Sequence, residues 1–472
     1  FKMKIHFCGA NREVTGSCHV VELDNGFTFA MDVGLYQGHD DDMKKFNETW
    51  LYPPANVDCV VLSHAHIDHI GRLPKFHKDG FSGNIFCTHA TRSLSAILLM
   101  DSAMIQEREA EYSNKKWLKK GIKYHTRIME PLYVPDDVPP VLDLMISYGY
   151  DKWFNIHEDV QVKYIDAGHI LGSASVNIKI RENGKETKLA FSGDIGRPNR
   201  PILRDPVPMD PADIILTEST YGDRLHDSAP EDSNQLQAII HETCIVNKGK
   251  LIIPAFSVGR TQEIIYMMDQ MANAGKIHNV KVYVDSPLAV NATSIYIAHT
   301  ECYDAELMKY LLKDENPFGF NGLTYIKNVD ESKALNESNE PCVIISASGM
   351  ANAGRVQHHI INNVEKPNTT ILIVGYCAPG TPGRMLRDGV STLTLHGQTK
   401  VVNAQIKVMD SFSAHGDRDE MTAFLMNQKD KSKKIFLVHG DEDAMISFKA
   451  HLESNGFSNI EMPRLGDSFE WS

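Results

Sequence analysis

The sequence has no paired cysteines, no long apolar run and no excess of positive charge, and each absence argues against a class of protein. Its eight cysteines form no Cys-x-x-Cys pair, which argues against a zinc ribbon and favours a reduced, cytoplasmic setting. No apolar stretch approaches the roughly 18 residues that a membrane-spanning helix needs, so we expect no membrane contact.

The charge balance is acidic, with a formal net charge of −13. A dedicated nucleic-acid binder is usually basic, so any affinity for nucleic acid has to come from a local groove or from a partner. The 42% hydrophobic and 23% charged residues are typical of a globular protein. Because 472 residues are too many for one ordinary core, we expect two domains.

The most informative segment is residues 63–69, which holds four strong metal ligands: His64, His66, Asp68 and His69. It directly follows an apolar run, residues 57–62, that predicts a buried strand. Since alternate residues of an extended chain point in opposite directions, a turn is needed to aim all four groups inward. The first two histidines would then serve one metal, and Asp68 with His69 a neighbouring one. Such nitrogen-rich ligand sets suit zinc better than magnesium, so two zinc ions are expected.

Four other segments repeat one pattern, in which a short apolar strand ends in a histidine or aspartate beside a glycine. The polar residues at these strand ends are Asp32, His169, Asp194 and His439. A site built from loops at strand ends requires this arrangement. Any one of them alone could be a structural residue, but together with the cluster they predict the remaining groups of one centre.

These motifs resemble those of the metallo-β-lactamase superfamily, and specifically of its β-CASP nuclease branch, over essentially the whole chain. Two further family motifs follow in order, at residues 217–222 with Glu218 and at residues 411–417 with His415. The last motif, residues 438–440, is short and gains its weight from its place near the C-terminus. The chain looks most similar to the endonuclease subunit of the pre-mRNA cleavage and polyadenylation machinery and to its stand-alone prokaryotic relatives.

The resemblance implies roles for these residues in hydrolysing RNA to 5′-phosphate and 3′-hydroxyl ends. One zinc ion would be held by His64, His66 and His169 and the other by Asp68, His69 and His439, with Asp194 bridging. The candidate catalytic residues are Asp68, His415 and Glu218. His415 would donate a proton to the leaving oxygen, with Glu218 orienting its imidazole. Asp32 is expected to buttress a ligand rather than to bind metal itself.

The expected fold is α/β: a metallo-β-lactamase αββα sandwich with an inserted parallel-sheet β-CASP domain. Residues 1–208 would form the N-terminal part of the sandwich, 209–394 the insertion, and 395–472 a C-terminal segment that completes the sandwich. The proline-rich stretch 197–213 favours a boundary there. Residues 92–120 have helical spacing and predict a pair of surface helices. The insertion's parallel sheet is predicted from short buried strands at 213–216, 251–253, 282–284, 343–345 and 371–374.

Three loops of the insertion contain glycine and follow predicted strands. Two of them open helices, where exposed backbone N–H groups favour anions such as phosphate. The candidate substrate-binding residues in these loops are Arg260, Ser346, Ser348, Gly349 and Arg384. Ordinary turn chemistry, with the two arginines in structural ion pairs, is the alternative.

Single-stranded RNA is the expected substrate, because His439 stands where the DNA-repair branch of the family typically has valine. Endonucleolytic cutting is favoured, and a 5′-exoribonuclease of the RNase J type is the alternative. A small-molecule metallo-hydrolase would share the histidine cluster but would need neither the insertion nor the Glu218–His415 pair. A non-catalytic RNA-binding subunit would be expected to have lost ligands, yet all are present. A second copy of the chain or a protein partner could add specificity.

Overall fold

The structure is a computed structural model that describes residues 3–37, 41–119, 129–182, 184–226, 232–375, 377, 380–409 and 413–471. The chain divides into two compact units. The first comprises Phe1–Asn199, Arg204–Leu225 and His415–Ser472, and the second comprises Arg200–Leu203 and His226–Ala414. The first unit is therefore assembled from segments that lie on both sides of the second in the sequence.

The described residues contain strands in all parts of the chain. In chain order they are β1 (Met3–Gly9), β2 (Cys18–Glu22), β3 (Thr28–Met31), β4 (Cys59–Val61), β5 (Asn84–Thr88), β6 (Met145–Tyr148), β7 (Phe154–His157), β8 (Val160–Asp166), β9 (Ala174–Glu182), β10 (Lys185–Phe191), β11 (Ile214–Thr217), β12 (Lys250–Pro254), β13 (Lys281–Asp285), β14 (Leu323–Ile326), β15 (Cys342–Ser346), β16 (Thr370–Val374), β17 (Thr392–Leu395), β18 (Gln398–Val401), β19 (Gln405–Met409), β20 (Lys434–Leu437), β21 (Ile460–Glu461) and β22 (Ser468–Trp471).

The helices alternate with these strands over much of the chain. In chain order they are α1 (Asp41–Glu48), α2 (Ile67–Ile70), α3 (Leu73–Lys78), α4 (His89–Lys119), α5 (Val138–Asp143), α6 (Asp232–Ile240), α7 (Arg260–Asn273), α8 (Pro287–Ala298), α9 (Ala305–Tyr310), α10 (Val329–Glu337), α11 (Val356–Asn363), α12 (Pro382–Arg387), α13 (Arg418–Leu425) and α14 (Glu442–Ser454). Within the described residues, none of the helices is both long enough and apolar enough to cross a membrane.

The first unit contains two seven-stranded sheets that share one core. Their strand orders are β22-β1-β2-β3-β4-β5-β6 and β21-β20-β11-β10-β9-β8-β7. Alternate apolar residues of β8, such as Val162 and Tyr164, are fully buried in the same cluster as Phe29 and Val61 of the other sheet. Each sheet therefore buries one face against its partner, as the period of two in its apolar residues requires.

Helices cover the outer faces of the two sheets. On the second sheet, Met421 of α13 and Met445 and Phe448 of α14 join Ile215 of β11 in a separate buried cluster. The long helix α4 lies against β5 and β6 of the first sheet. These four layers confirm the predicted αββα sandwich.

The second unit is built on a six-stranded sheet of order β14-β13-β15-β12-β16-β19. All of its strand pairs are parallel. Its central strands β12, β15 and β16 are buried along their whole length, as expected for a parallel sheet that is covered on both faces. The predicted parallel sheet of the insertion is confirmed.

Two strands lie in a different unit from the one that the sequence suggested. Strand β11, expected in the insertion, pairs in parallel with β10 and β20 of the first unit. Strand β19, expected in the C-terminal segment, pairs in parallel with β16 of the second unit. The second unit accordingly comprises residues 200–203 and 226–414, whereas the predicted insertion ran from 209 to 394.

The segment that was expected to form a pair of surface helices is the single helix α4, of 31 residues. Residues 89–119 contain neither glycine nor proline, so nothing in the chain interrupts the helical hydrogen bonds. Lys120, at the end of that predicted segment, lies outside the described residues, as do Ser411 and Phe412 of the motif that contains His415.

Candidate metal centre

The predicted site residues of the first unit follow strands of its two sheets, and within each sheet these strands run in the same direction. Strands β3 and β4 are parallel neighbours in the first sheet. In the second sheet β8, β10, β11 and β20 run in one direction. The residues that follow these six strands are Asp32, the cluster of residues 64–69, His169, Asp194, Glu218 and His439. The strand directions therefore gather the candidate site at one place in this unit.

The cluster after β4 makes the turn that the sequence required. His66 has an extended backbone, with φ −62° and ψ 147°, and directly precedes α2. Asp68 and His69 then occupy the first turn of that helix. The change from extended chain to helix aims these side chains differently from those of His64 and His66, so one short segment can supply both ligand groups.

Two of the site residues have a left-handed backbone, with φ +60° at Asp32 and +49° at His439. This region is uncommon for residues other than glycine and concentrates at functional sites. At His439 two hydrogen bonds fix the turn, since its N–H donates to the Ala10 carbonyl at 2.8 Å and its carbonyl accepts from the Ser219 N–H at 3.1 Å. A Cβ on the next residue, Gly440, would lie 2.5 Å from Ser219 Oγ. Only glycine fits there.

The first ligand group consists of three ring nitrogens and one carboxylate oxygen. His66 Nδ1 lies 3.1 Å from His64 Nε2 and 3.2 Å from His169 Nε2. Asp194 Oδ2 lies 3.4 Å from His64 Nε2 and 3.5 Å from His169 Nε2. The three histidines and Asp194 thus converge on one small volume.

The second ligand group lies on the other side of Asp194. His69 Nε2 and His439 Nε2 are 3.2 Å apart, and Asp68 Oδ2 lies 3.7 Å from the first and 3.4 Å from the second. Asp194 Oδ1 lies 3.3 Å from His69 Nε2 and 3.6 Å from His439 Nε2. One carboxylate therefore presents one oxygen to each ligand group.

The donor atoms fit two zinc ions. Tetrahedral zinc with bonds of about 2.0–2.2 Å holds its ligands roughly 3.3–3.6 Å apart, and the separations in both groups lie close to that range. The buried Asp194 Oδ1 lies near ring nitrogens, but no group among the described residues is aligned to donate a hydrogen bond to it. A bound cation would satisfy that oxygen. Five histidines among seven ligands favour zinc over magnesium, which prefers oxygen.

Hydrogen bonds behind the ligands fix how the rings present their nitrogens. Asp32 is fully buried and accepts from the N–H and the hydroxyl of Ser63, at 2.8 and 2.7 Å. Its carboxylate also lies 2.7 Å from His69 Nδ1. Thr220 Oγ1 lies 3.1 Å from His439 Nδ1. With the proton on Nδ1, both rings turn the lone pair of Nε2 towards the ligand group, as a metal requires.

Sequence reasoning did not identify Ser63 and Thr220 as parts of the site. Each lies beside a residue that it did identify, since Ser63 precedes His64 and Thr220 belongs to the motif of Glu218. A search of the sequence for hydroxyl side chains near the predicted site residues could have found both.

The packing of the site sets the charges of its groups. Burial lowers the pKa of His66 to about 4 and holds the pKa of His64 well below its usual range. For Asp194, burial alone would raise the pKa, but electrostatic interactions with the neighbouring histidines, first His439 and then His69, outweigh burial and hold the pKa well below its usual range. At neutral pH the two histidines are therefore neutral and Asp194 is ionised, which are the forms that bind metal.

His415 and Glu218 form a pair next to Asp194. His415 Nδ1 lies 3.1 and 3.3 Å from the two oxygens of the buried Glu218 carboxylate, which also accepts the Ile195 N–H. The same nitrogen is 3.9 Å from Asp194 Oδ2. Burial disfavours the charged ring, but the negative charges of Glu218 and Asp194 outweigh it and raise the pKa of His415 to about 9. In the metal-free chain the imidazole is therefore protonated at neutral pH.

The predicted substrate-binding loops lie in the second unit, after β12, β15 and β16. These strands are neighbours in a parallel sheet, so the loops meet at its carboxyl edge. The Gly383 N–H donates to the Met350 carbonyl at 2.9 Å, and a Cβ on Gly349 would lie 2.8 Å from the Phe256 ring. The structure therefore brings the three loops together. Residues 376, 378 and 379 of the third loop lie outside the described residues.

The side chains of these loops make local contacts. Arg260 pairs with Glu263, and Arg384 Nε lies 2.8 Å from Asp388 Oδ2. Both arginines thus have the structural ion pairs that the sequence left open as an alternative. Ser346 Oγ donates to the Asp285 carbonyl and Ser348 Oγ to the Asn352 side chain, each at 2.7 Å. Their contribution to substrate binding stays a prediction.

Three family profiles match successive parts of the chain. That of the metallo-beta-lactamase superfamily matches residues 12–239, that of the Beta-Casp domain residues 261–386, and that of the Zn-dependent metallo-hydrolase RNA specificity domain residues 399–463. Together they span every motif from the metal ligands to His439.

Relatives match over most of their length. Ribonuclease TTHA0252 of Thermus thermophilus is 31% identical over 426 residues, 90% of this chain and 91% of its own. The RNase J-like protein of Methanocaldococcus jannaschii is 30% identical over 91% of both chains. The transcription termination factor FttA of Methanosarcina mazei is 28% identical over 98% of this chain and 72% of its own. The chain belongs to the β-CASP RNA nuclease branch of the metallo-β-lactamase superfamily and is a metal-dependent hydrolase.

Proposed function

We propose that the chain is a zinc-dependent endoribonuclease that cleaves single-stranded RNA and leaves 5′-phosphate and 3′-hydroxyl ends. The observation that carries the proposal is the pair of ligand groups joined by Asp194, with the Glu218–His415 pair beside them. The matched RNA specificity domain and the relatives named as ribonucleases support RNA as the substrate.

We propose two sets of ligands, and the short distances between their donor atoms support this assignment. One zinc ion would be held by His64, His66 and His169 and the other by Asp68, His69 and His439, with Asp194 contacting both. When bound, such ions activate water at neutral pH and neutralise charge on the phosphate. Asp32 and Thr220 orient two of the rings, so that the ligands are aimed before a metal arrives.

His415 supplies the proton in this proposal. Breaking the phosphodiester leaves an alkoxide at O3′, which departs far more easily when it is protonated as it leaves. Glu218 is hydrogen-bonded to the Nδ1 side of the ring, so we assign the donated proton to Nε2. The high pKa of His415 keeps that proton in place at neutral pH. Asp68 acts in catalysis through the metal that it helps to hold.

The second unit is proposed to bind the RNA backbone through the loops at its carboxyl sheet edge. Ser346, Ser348 and Gly349 would contribute hydroxyls and backbone N–H groups, and Arg260 and Arg384 would exchange a carboxylate partner for a phosphate. Since the chain carries a net charge of −13, we propose that a protein partner or a second copy supplies part of the affinity and specificity. All eight cysteines are free thiols, which favours the cytoplasm as the site of action.

A 5′-exoribonuclease of the RNase J type is the second candidate. The RNase J-like relative, 30% identical over 91% of this chain, favours it. Both candidates use the same ligands and the same proton donor. They differ only in whether cleavage requires an RNA end.

One substrate set separates the possibilities. An oligonucleotide of one sequence is prepared as single-stranded RNA and DNA, blocked at both ends, and as RNA with an open 5′-monophosphate. Each is incubated with protein of confirmed zinc content, and the products are mapped. Internal cuts in blocked RNA alone, with 5′-phosphates, are expected. Degradation that requires the open end would establish the exonuclease, and equal cutting of DNA would refute the substrate assignment. Asp194→Asn serves as the metal-binding control.

A further inference from the structure

Two of the eight cysteines are neighbours on adjacent strands. Cys8 is the penultimate residue of β1, and Cys18 is the first residue of β2. The antiparallel register pairs Phe7 with His19 but Gly9 with Cys18, so Cys8 is the extra residue of a β-bulge. In a bulge two residues of one strand oppose one residue of the other. This register places Cys8 and Cys18 side by side on the two strands, and both cysteines are buried.

A buried cation lies close to this thiol pair. The Arg72 guanidinium is held over the rings of Trp50, at 4.5 Å, and Tyr36, at 5.3 Å, and Arg72 is 2% exposed. The neighbouring Cys8 thiol lowers the pKa of the Cys18 thiol, and the charge of Arg72 lowers it further, against the effect of burial. A thiol of lowered pKa beside a second thiol is the arrangement that favours oxidation to a disulfide.

Cys18 is connected to the second ligand group through its neighbour in the chain. The Ser17 N–H donates to the Asp68 carbonyl at 2.8 Å, and the Ser17 carbonyl accepts from the Gly34 N–H at 2.8 Å. A Cβ on Gly34 would lie 1.6 Å from the Asp68 oxygen and 2.8 Å from Ser17 N, so these segments are in close contact. A movement of Cys18 is therefore transmitted to the backbone of Asp68.

We propose that Cys8 and Cys18 form a reversible disulfide on exposure to hydrogen peroxide, and that this bond weakens metal binding by the group of Asp68, His69 and His439. The Cys18 sulfur loses its proton, attacks one peroxide oxygen and becomes a sulfenic acid, and the other oxygen takes up a proton and leaves as water. The Cys8 thiol then attacks that sulfur and releases a second water. Two thiols are oxidised by two electrons, and one peroxide is reduced to two waters.

The expected coupling follows from the length of the new bond. A disulfide brings the two sulfurs to about 2.05 Å, well inside the distance of non-bonded atoms. The strand start at Cys18 has to move towards β1, and Ser17 with it. Misplacing a group that supports a metal ligand typically lowers metal affinity about 10–100-fold. We expect a loss of that size at the second ligand group, whereas the group of His64, His66 and His169 should keep its metal.

The test uses the full chain loaded with zinc. Protein treated with peroxide is alkylated and digested without reduction, and the Cys8–Cys18 peptide is sought by mass spectrometry. Zinc is counted after gel filtration against a chelator. The expected result is a cross-linked peptide and loss of one zinc, both reversed by dithiothreitol and added zinc. Cys8→Ser and Cys18→Ser should each abolish both effects. Cys59→Ser, a buried cysteine of β4, is the matched control and should retain both.

Each of the other outcomes would contradict one part of this proposal. Absence of the cross-linked peptide refutes the disulfide. A cross-link with unchanged zinc retention refutes the coupling, and zinc loss that persists in both serine variants does the same. That metal loss would lower activity rests on the proposed function, but the two measurements, the cross-linked peptide and the zinc content, do not involve RNA. A failure of the ribonuclease assignment is therefore distinguishable from a failure of this inference.

Discussion

At the scale of single residues, the site depends on which charges are buried together. Glu218 is fully buried, and its carboxylate is satisfied by the Ile195 N–H and by the ring of His415. Such a carboxylate stabilises a neighbouring imidazolium, because removing the ring's proton would leave a buried negative charge with one partner fewer. The pair is thus suited to hold a proton beside the metal ligands and to release it to a substrate.

Replacing His415 with alanine should separate chemistry from metal binding. We expect RNA cleavage to fall on the order of a hundredfold or more, with both zinc ions retained, because the ring is assigned to the leaving group and not to a metal. The measurement is kcat/KM together with zinc content. A variant that keeps the full rate would contradict the assignment of His415 as the proton donor.

The same pair predicts the pH dependence of cleavage. The acid form of His415 is required, so the rate should fall as pH rises through its pKa. That pKa is about 9 without metal, and bound cations can only lower it. An alkaline limb below about pH 9 is expected in the parent protein and should be absent from the His415→Ala profile. An identical limb in both proteins would point to another group.

Asp32 should act on metal affinity through His69. Asp32→Ala removes the acceptor for His69 Nδ1, so the ring no longer presents its Nε2 lone pair in a fixed direction. A loss of about 10–100-fold in zinc affinity is expected, measured by competition with a chromogenic chelator. Asp24→Ala, at an exposed position in the turn between β2 and β3, is the control and should bind zinc like the parent. Equal affinities in all three proteins would remove Asp32 from the site.

At the scale of elements, local patterns predicted the strand ends that carry the ligands, because each is a short apolar run followed by a polar residue and glycine. They could not assign β11 and β19 to the right sheets. One partner of β11 lies far along the chain, and other elements of the chain separate β19 from its partner β16. Their pairing therefore depends on tertiary contacts that no local pattern encodes. Ser63 and Thr220 were missed for a similar reason, since their roles exist only once a ring lies against them.

The turn after β20 offers a prediction at this scale. Gly440→Ala places a Cβ against Ser219, where neither the hydroxyl nor the backbone has room. We expect a loss of about 1–3 kcal/mol in the free energy of unfolding, together with weaker zinc binding at the group of His439. Denaturant unfolding and zinc content measure the two effects. Gly149→Ala is the control, because its added Cβ meets only His89 Nε2, at 3.8 Å. A Gly440→Ala protein as stable as this control would refute the steric argument.

At the scale of the whole molecule, the proposed ligands all belong to the first compact unit, although they come from segments that are as much as 375 residues apart, between His64 and His439. Metal ions that bind across such distances stabilise the folded arrangement of that unit, by about 2.7 kcal/mol per site when free metal is a hundredfold above its dissociation constant. The second unit contributes none of the ligands assigned here, so its stability should not depend on zinc.

Removing zinc should therefore loosen one unit and not the other. We expect a strong chelator to raise amide hydrogen exchange in the peptides that contain residues 59–70, 166–169 and 435–440, because in the metal-free chain the buried Asp194 loses the cations that satisfy it. Peptides from the second unit's sheet, such as residues 250–254 and 342–346, should exchange at an unchanged rate. Readdition of zinc should restore protection, whereas magnesium should not, because five of the seven proposed ligands are imidazoles. Uniform loosening of both units would contradict a metal site confined to the first, and recovery with magnesium would contradict the assignment to zinc.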